Sequence, residues 1–205
     1  ARAQASAAYF EKNVARVYDR YELILAQNKA VDFDDLLLKM AVLLRDNAAV
    51  RRELQDRFQY ILIDEYQDTN HAQFVLAHML AMDHKNICAT GDPDQSIYGW
   101  RGANLNNILE FEQFYPNAKV VLLEQNYRST KMILKAASAL IARNSKRKKK
   151  ELWTENEAGP RIQRLACNDE HHEAAEVVRR IKDQHDEGLR WDQMAIFYRV
   201  NSLSR

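Results

Sequence analysis

Tyr60-Ile-Leu-Ile-Asp64-Glu65-Tyr-Gln-Asp-Thr-Asn70 is a short apolar run that ends in two adjacent carboxylates. The run predicts a buried strand, so Asp64 and Glu65 would emerge at its carboxyl end, where open α/β sheets bind ligands. Both carboxylates are candidate Mg²⁺ ligands. In phosphoryl transfer, the first would hold the metal that bridges two phosphates, and the second would orient the attacking water. A surface turn also favours acidic residues, so this pattern alone leaves both interpretations open.

Apolar periodicity outside this run predicts an α/β fold in which helices precede the first strand. A helix over 70–82 and a strand over 86–91 follow it, and together they make a βαβ unit with a parallel sheet. Upstream, the spacing predicts a long helix over 6–27, a second that begins near Asp32, and a third capped by Asn47. Downstream, the pattern predicts a helix over 105–114, a domain boundary near 117, and a second α/β unit. That unit would contain strands over 119–123, 161–166 and 194–198, with helices over 129–142 and 170–185.

The composition indicates a soluble globular protein with few special features. The chain has 205 residues, 46% of them hydrophobic, and a formal net charge of +1. No apolar stretch approaches the roughly 20 residues that span a bilayer, so we predict a cytoplasmic protein with no membrane partner. Cys88 and Cys167 lie in strand-like segments and are predicted to be buried free thiols. The six histidines show no zinc-ligand spacing, and we expect no zinc site.

The segment Gly91-Asp-Pro-Asp-Gln-Ser-Ile-Tyr-Gly-Trp-Arg-Gly102 follows the second predicted strand. Tyr98 and Trp100 are alternate residues beside Arg101. Exposed aromatic rings next to a cation can stack the bases of single-stranded nucleic acid, at roughly 1–3 kcal/mol per base. The alternative is that both rings cover the sheet edge as core residues, which this segment alone slightly favours.

Two basic features are open to more than one interpretation. Arg128, in Leu123-Glu-Gln-Asn-Tyr-Arg-Ser-Thr130, could stabilise a transferring phosphoryl group as an arginine finger or form an interdomain salt bridge. The run Lys146-Arg-Lys-Lys-Lys150 favours a solvated loop, with a role in phosphate contact as the alternative.

The segments 64–70, 91–103 and 123–130 resemble, in order and spacing, motifs II, III and IV of the UvrD/PcrA/Rep-type superfamily 1 DNA helicases. Flanking segments at 32–37 and 195–205 are also similar to that family, so the resemblance covers nearly the whole chain. It implies two RecA-like domains of the P-loop NTPase type, with ATP and Mg²⁺ between them and single-stranded DNA across their tops. ATP hydrolysis would drive 3′ to 5′ translocation in repair or replication.

The resemblance implies a role for each matching residue at the nucleotide. Asp64 would hold Mg²⁺ and Glu65 would activate water. Gln95 would sense the γ-phosphate and link it to the DNA site. Tyr127 would stack on the adenine, and Arg128 would contact the γ-phosphate from the second domain.

At the DNA, the resemblance implies that Tyr98 and Trp100 stack bases while Arg101 supports their loop. It also divides the chain. Residues 1–30 would be the terminal helix of the 1B insertion, 31–117 the C-terminal part of RecA-like domain 1A, and 118–205 the N-terminal part of domain 2A.

The chain departs from the family pattern because it has no GxxxxGK[ST] phosphate loop around any of its five glycines. Motifs V and VI are missing too, and both ends look cut. We therefore expect this fragment to be inactive by itself. An uncovered sheet edge would also promote self-association.

Two other function classes are consistent with parts of the pattern. A non-catalytic single-stranded DNA-binding module would keep Tyr98, Trp100 and the basic run. The simultaneous presence of Asp64, Glu65 and Arg128 argues against it, because a binding module needs no such set. A helicase-nuclease would carry its nuclease carboxylates downstream, so this segment is compatible with it.

Overall fold

Three helices precede the first strand, as predicted. The computed structural model describes residues 2–145, 147–148 and 150–198, with side chains from residue 9 onward. Helix α1 spans Arg2–Gln27, α2 spans Phe33–Asp46 and α3 spans Ala48–Arg57. The side chains of Asp32 and Asn47 accept backbone N–H groups in the first turns of α2 and α3, which confirms the predicted helix start near Asp32 and the predicted cap at Asn47.

The predicted βαβ unit is present. Strand β1 (Ile61–Ile63) pairs in parallel with β2 (Ile87–Ala89), and α4 (His71–Ala81) connects them. A capping box at Asn70 begins α4, since its side chain accepts from the backbone N–H of Gln73 while the Gln73 side chain accepts from Asn70. The segments that follow β1 and β2 consequently leave the sheet at the same edge.

The core of this region lies where α2 and α3 pack on α4. Leu44 and Ala81 are fully buried there. Gln55 of α3 is also buried, and its Nε2 donates to the carbonyl of Met79 at 2.9 Å. This bond ties α3 to the end of α4 and thus holds the helix that connects the two strands.

Aromatic side chains fill the space between α4 and the segment after β2. The predicted helix over 105–114 is two short helices, α5 (Asn106–Leu109) and α6 (Phe111–Phe114). Tyr66, which follows β1, is buried edge-on against Phe111, with ring centroids 5.6 Å apart. Burial and the neighbouring Tyr115 raise the pKa of the Tyr66 phenol to about 12. The chain after Asp64 is therefore anchored by a large buried ring.

The prediction of a second parallel sheet is wrong for the described residues. Helices α7 (Lys131–Ile141) and α8 (Glu170–Asp186) are present, but 119–123, 161–166 and 194–198 form no strand. An isolated parallel bridge joins Gln125 to Trp153. Apolar runs become strands only when another strand pairs with their N–H and C=O groups, and none of these runs has such a partner within the described part.

The chain divides into two compact units, Ala1–Glu157 and Ala158–Arg205. The predicted RecA-like domain boundaries stay a prediction. Both cysteines are free, but Cys88 is exposed on β2, so the prediction that it is buried is wrong. Within the described part, no helix is long and apolar enough to span a membrane.

Candidate functional site

Asp64 and Glu65 lie immediately after β1, with both side chains exposed. The Asp64 Oδ1 accepts from the backbone N–H of Glu65 at 2.9 Å. Glu65 has φ 50° and ψ 41°, a left-handed conformation that is uncommon for residues other than glycine. Strained backbone of this kind costs on the order of 1–3 kcal/mol and persists only where surrounding contacts impose it.

Gln67 joins the segment after β1 to the segment after β2. Its side chain is 1% exposed. The amide Nε2 donates to Glu65 Oε2 at 2.7 Å, and the amide Oε1 accepts from the backbone N–H of Asp92 at 3.0 Å. Gln67 lies within the 64–70 segment but was not among the predicted site residues. The one sequence signal that could have identified it is its position between the carboxylates of Glu65 and Asp68.

A short turn of 3₁₀ helix, Pro93–Gln95, follows Asp92. The Asp92 carboxylate accepts from the backbone N–H of Asp94 at 3.0 Å and from Nε2 of Gln95 at 2.8 Å. A continuous chain of hydrogen bonds thus runs from Glu65 through Gln67 and Asp92 to Gln95. Of its three steps, only the Gln67–Asp92 bond joins residues that are distant in sequence, 25 positions apart.

The described part of the basic run binds acidic side chains of the same unit. Lys150 pairs with Asp92, Arg147 Nη2 lies 2.9 Å from Asp94 Oδ2, and Lys148 Nζ lies 2.6 Å from Glu112 Oε2. Arg147 and Lys150 are largely buried in these pairs, so the solvated-loop interpretation is wrong for them, while a role in phosphate contact stays a prediction. Lys146 and Lys149 lie outside the described residues.

These contacts affect the charge of Asp92. Burial acts to raise the pKa of Asp92, but hydrogen bonds from Lys150 and Gln95 outweigh it and leave the pKa below its ordinary value. The carboxylate that receives the Gln95 amide is therefore kept ionised.

Tyr98 and Trp100 are exposed, at 41% and 71%. Their ring centroids are 6.4 Å apart, and the Arg101 guanidinium lies 5.4 Å from the Trp100 ring. The three residues lie on a turn that includes Gly99–Arg101 and closes at Gly102, whose φ of 87° favours glycine. The alternative in which both rings are core residues is wrong, since both rings are exposed.

Hydrogen bonds attach the segment that follows Tyr98 and Trp100 to the segment after β1. The backbone N–H of Asn104 donates to the carbonyl of Thr69 at 2.9 Å. The buried Asn107 side chain donates to the Thr69 carbonyl at 3.1 Å and to its hydroxyl at 3.0 Å. Residues that follow the aromatic pair are therefore attached to Thr69, in the segment after β1.

Tyr127 and Arg128 are exposed and make local bonds. The Tyr127 hydroxyl donates to Gln125 at 2.8 Å, and the Arg128 N–H donates to Asn126 Oδ1 at 3.0 Å. Asn156 donates to the carbonyl of Tyr127 at 3.2 Å. Within the described part, no hydrogen bond joins Tyr127 or Arg128 to Asp64, Glu65 or Gln95.

The donor set at Asp64 and Glu65 fits a magnesium–nucleotide complex. Asp64 Oδ2 and Glu65 Oε1 accept no hydrogen bond from the described residues, so both oxygens are available to ligands. The described residues contain no group of three or more His, Cys, Asp or Glu that could hold a metal. Mg²⁺ typically takes one or two carboxylates and completes its shell with water and substrate phosphates, which suits this pair.

Comparison with known proteins shows the family to which the chain is similar. Residues 1–116 match the UvrD/REP helicase N-terminal domain, and residues 121–205 match the UvrD-like helicase C-terminal domain. The ATP-dependent DNA helicase PcrA of Staphylococcus epidermidis is 49% identical over 197 residues, which is 96% of this chain and 27% of that protein. PcrA of Staphylococcus aureus, in strains Mu50 and NCTC 8325, gives the same values. The chain therefore spans about 27% of the length of these relatives, and it belongs to the UvrD/REP helicase family.

Proposed function

We propose that this chain is part of the motor of an ATP-dependent DNA helicase that moves 3′ to 5′ along single-stranded DNA in repair or replication. The observation that carries the proposal is the hydrogen-bonded route from Glu65 through Gln67 and Asp92 to Gln95, in the loop that leads to Tyr98 and Trp100. A motor must connect nucleotide chemistry to DNA contact, and this route supplies a physical link. The relatives with 49% identity are named ATP-dependent DNA helicases.

At the nucleotide, each residue has a distinct task. Asp64 and Glu65 would hold Mg²⁺, which when bound neutralises charge on the phosphates. Glu65 would accept a proton from the attacking water, and Gln95 would contact the γ-phosphate. Arg128 would stabilise charge on the transferring phosphoryl group, and the exposed Tyr127 ring would stack on the adenine.

At the DNA, the exposed rings of Tyr98 and Trp100 would stack on successive bases with no preference for sequence. Arg101 lies over the Trp100 ring and would hold its orientation. The loop after β2, which contains Gln95, Tyr98 and Trp100, is attached to Gln67 through Asp92. A shift of Gln95 when ATP is hydrolysed would therefore move the two aromatic rings.

The proposed activity is that of the longer protein. We expect the 205-residue chain to turn over no ATP by itself, since its sequence contains no GxxxxGK[ST] phosphate loop. Two RecA-like domains, with boundaries at 30/31 and 117/118, are part of the proposal, as is a cytoplasmic location. Self-association of the isolated chain also stays a prediction, and light scattering at several concentrations measures it.

The test is ATP turnover by the intact protein that contains this chain, with and without single-stranded DNA. We expect DNA to stimulate turnover. Glu65→Gln should lower kcat by at least about 100-fold while ATP binding is retained, because general-base catalysis contributes about 10²- to 10⁴-fold.

Two results would contradict the proposal in different ways. Unchanged turnover in Glu65→Gln would remove the assigned role of Glu65. Absent turnover in the unaltered protein, with DNA binding retained, would instead favour the non-catalytic DNA-binding module.

A further inference from the structure

We propose that Gln67 is a positioning residue that orients the Glu65 carboxylate and couples it to the loop after β2. This role rests on the proposed function, since it concerns the residue assigned to activate water. Gln67 itself touches neither nucleotide nor DNA in this assignment and acts through Glu65.

The first argument is the division of the Gln67 amide between two segments. Its donor group bonds the Glu65 carboxylate at 2.7 Å, and its acceptor bonds the Asp92 N–H at 3.0 Å. A third contact involves the backbone, because the Ser96 hydroxyl donates to the Gln67 carbonyl at 3.2 Å. One rigid planar amide therefore spans the gap between the ends of β1 and β2.

Burial makes this amide an effective coupler. The Gln67 side chain is 1% exposed, so water is not available to replace either partner. A buried amide that loses one bond keeps an unsatisfied polar atom, which is strongly disfavoured. A displacement of the loop after β2 should therefore also move the Glu65 carboxylate, because water cannot take the place of the lost hydrogen bond.

Gly91 supplies an independent observation. A Cβ atom at this position would lie 2.4 Å from Gln67 Oε1 and 3.0 Å from the backbone nitrogen of Tyr66. Contacts under 3.0 Å require something to shift. The backbone at Gly91 thus approaches as closely as it does because no side chain is present, and this approach brings the Asp92 N–H within bonding distance of Gln67.

The left-handed backbone conformation of Glu65 is a reason why its carboxylate needs a residue that holds its orientation. With φ 50°, the Glu65 backbone lies outside the regions that non-glycine residues prefer. The Gln67 amide bonds the Glu65 side chain two residues away and so restrains a carboxylate that is otherwise exposed. We expect that removing the amide frees this carboxylate to sample orientations unsuited to water activation.

The first experiment follows the intact protein without nucleotide. Gln67→Leu keeps a buried side chain but removes the amide. We expect faster hydrogen–deuterium exchange in the peptide that contains residues 91–96, because the Asp92 N–H loses its acceptor. The matched control is Gln55→Leu, which removes another buried glutamine whose Nε2 bonds the Met79 carbonyl, away from Glu65. This control should leave exchange at 91–96 unchanged.

The second experiment measures DNA-stimulated ATP turnover. We expect Gln67→Leu to lower kcat by about 10- to 100-fold, the range found when residues that orient metal-site ligands are removed, with KM for ATP altered less than threefold. Gln55→Leu should keep kcat within about twofold when activity is normalised to folded protein.

A second variant tests the same coupling without removing a polar group. Gly91→Ala would displace the Gln67 amide through its added Cβ and should reproduce both the faster exchange and the lower kcat. The effects of Gly91→Ala and Gln67→Leu should combine to less than their product, because both act on one contact.

The outcomes separate this inference from the proposed function. Lack of turnover by the unaltered protein overturns the proposed function itself. If the unaltered protein is active and Gln67→Leu changes neither kcat nor exchange at 91–96, Gln67 has no positioning role. A loss of kcat equal to that of Gln55→Leu would likewise overturn it, since both losses would then be structural.

Discussion

Residues 60–107 and residues 119–130 each contain an apolar run followed by polar residues of the candidate site, yet their structures differ. In the first region, β1 and β2 pair, and hydrogen bonds join the segments that follow the two strands. In the second, Val121 and Leu123 are exposed and no strand is formed. Among the described residues, Tyr127 and Arg128 bond to near neighbours or to Asn156. An apolar run therefore holds the polar residues that follow it in place when the run itself is paired with a neighbouring strand.

The largest expected effect comes from removing the ring that anchors the first region. Tyr66→Ala should lower the free energy of unfolding of the chain by about 3–5 kcal/mol, because a fully buried aromatic side chain is lost and a cavity remains. Urea denaturation followed by circular dichroism measures the change.

Tyr127→Ala is the matched substitution in the second region. Its ring is 78% exposed, so we expect a change within about 0.5 kcal/mol. Equal losses in the two variants would show that residues 119–130 are as tightly packed as residues 60–107, against the difference described above.

An intermediate effect is expected at the aromatic pair. In the intact protein, Trp100→Ala should weaken single-stranded DNA binding by about 1–3 kcal/mol for every sequence, since base stacking does not read sequence. Fluorescence anisotropy with several oligonucleotides measures it. Tyr127→Ala should leave DNA affinity unchanged and weaken ATP binding. A Trp100→Ala loss confined to one oligonucleotide would contradict stacking.

The smallest effect concerns the ion pair between Asp92 and Lys150. The pKa of Asp92 in the folded chain lies below its ordinary value of 3.8, so the folded state binds fewer protons than the unfolded state. The resulting stabilisation is complete above that ordinary value and is lost as pH falls through the folded pKa. We expect the urea midpoint of the unaltered chain to fall between pH 5 and about pH 3.

Lys150→Met provides the comparison for this titration. The variant removes one of the hydrogen bonds that lower the pKa, so its urea midpoint should fall less over the same pH range. Asp92→Asn serves as the control with no titrating carboxylate at this position. Parallel curves for all three chains would mean that the ion pair does not contribute.

Much of the helical part of the fold could be predicted from the sequence because its signals are local. Asp32, Asn47 and Asn70 each accept hydrogen bonds from the first turn of the helix that follows, as capping side chains do. The parallel pairing of β1 and β2 was also predictable, since a short helix connects two apolar runs. The absence of strands over 119–123, 161–166 and 194–198 was not predictable, because strand formation depends on a partner distant in sequence.

For the candidate site, the sequence by itself determined which side chains are present and in what order. It placed the Asp64–Glu65 pair after a strand, and it placed Tyr98 and Trp100 on alternate positions beside Arg101. Only the tertiary structure decided that Gln67 connects Glu65 to Asp92, that Lys150 and Arg147 pair with Asp92 and Asp94, and that the aromatic pair is exposed. The physical reason is range: caps and turns involve neighbours in the chain, whereas a buried amide or an ion pair takes its partner from any segment that the fold brings near.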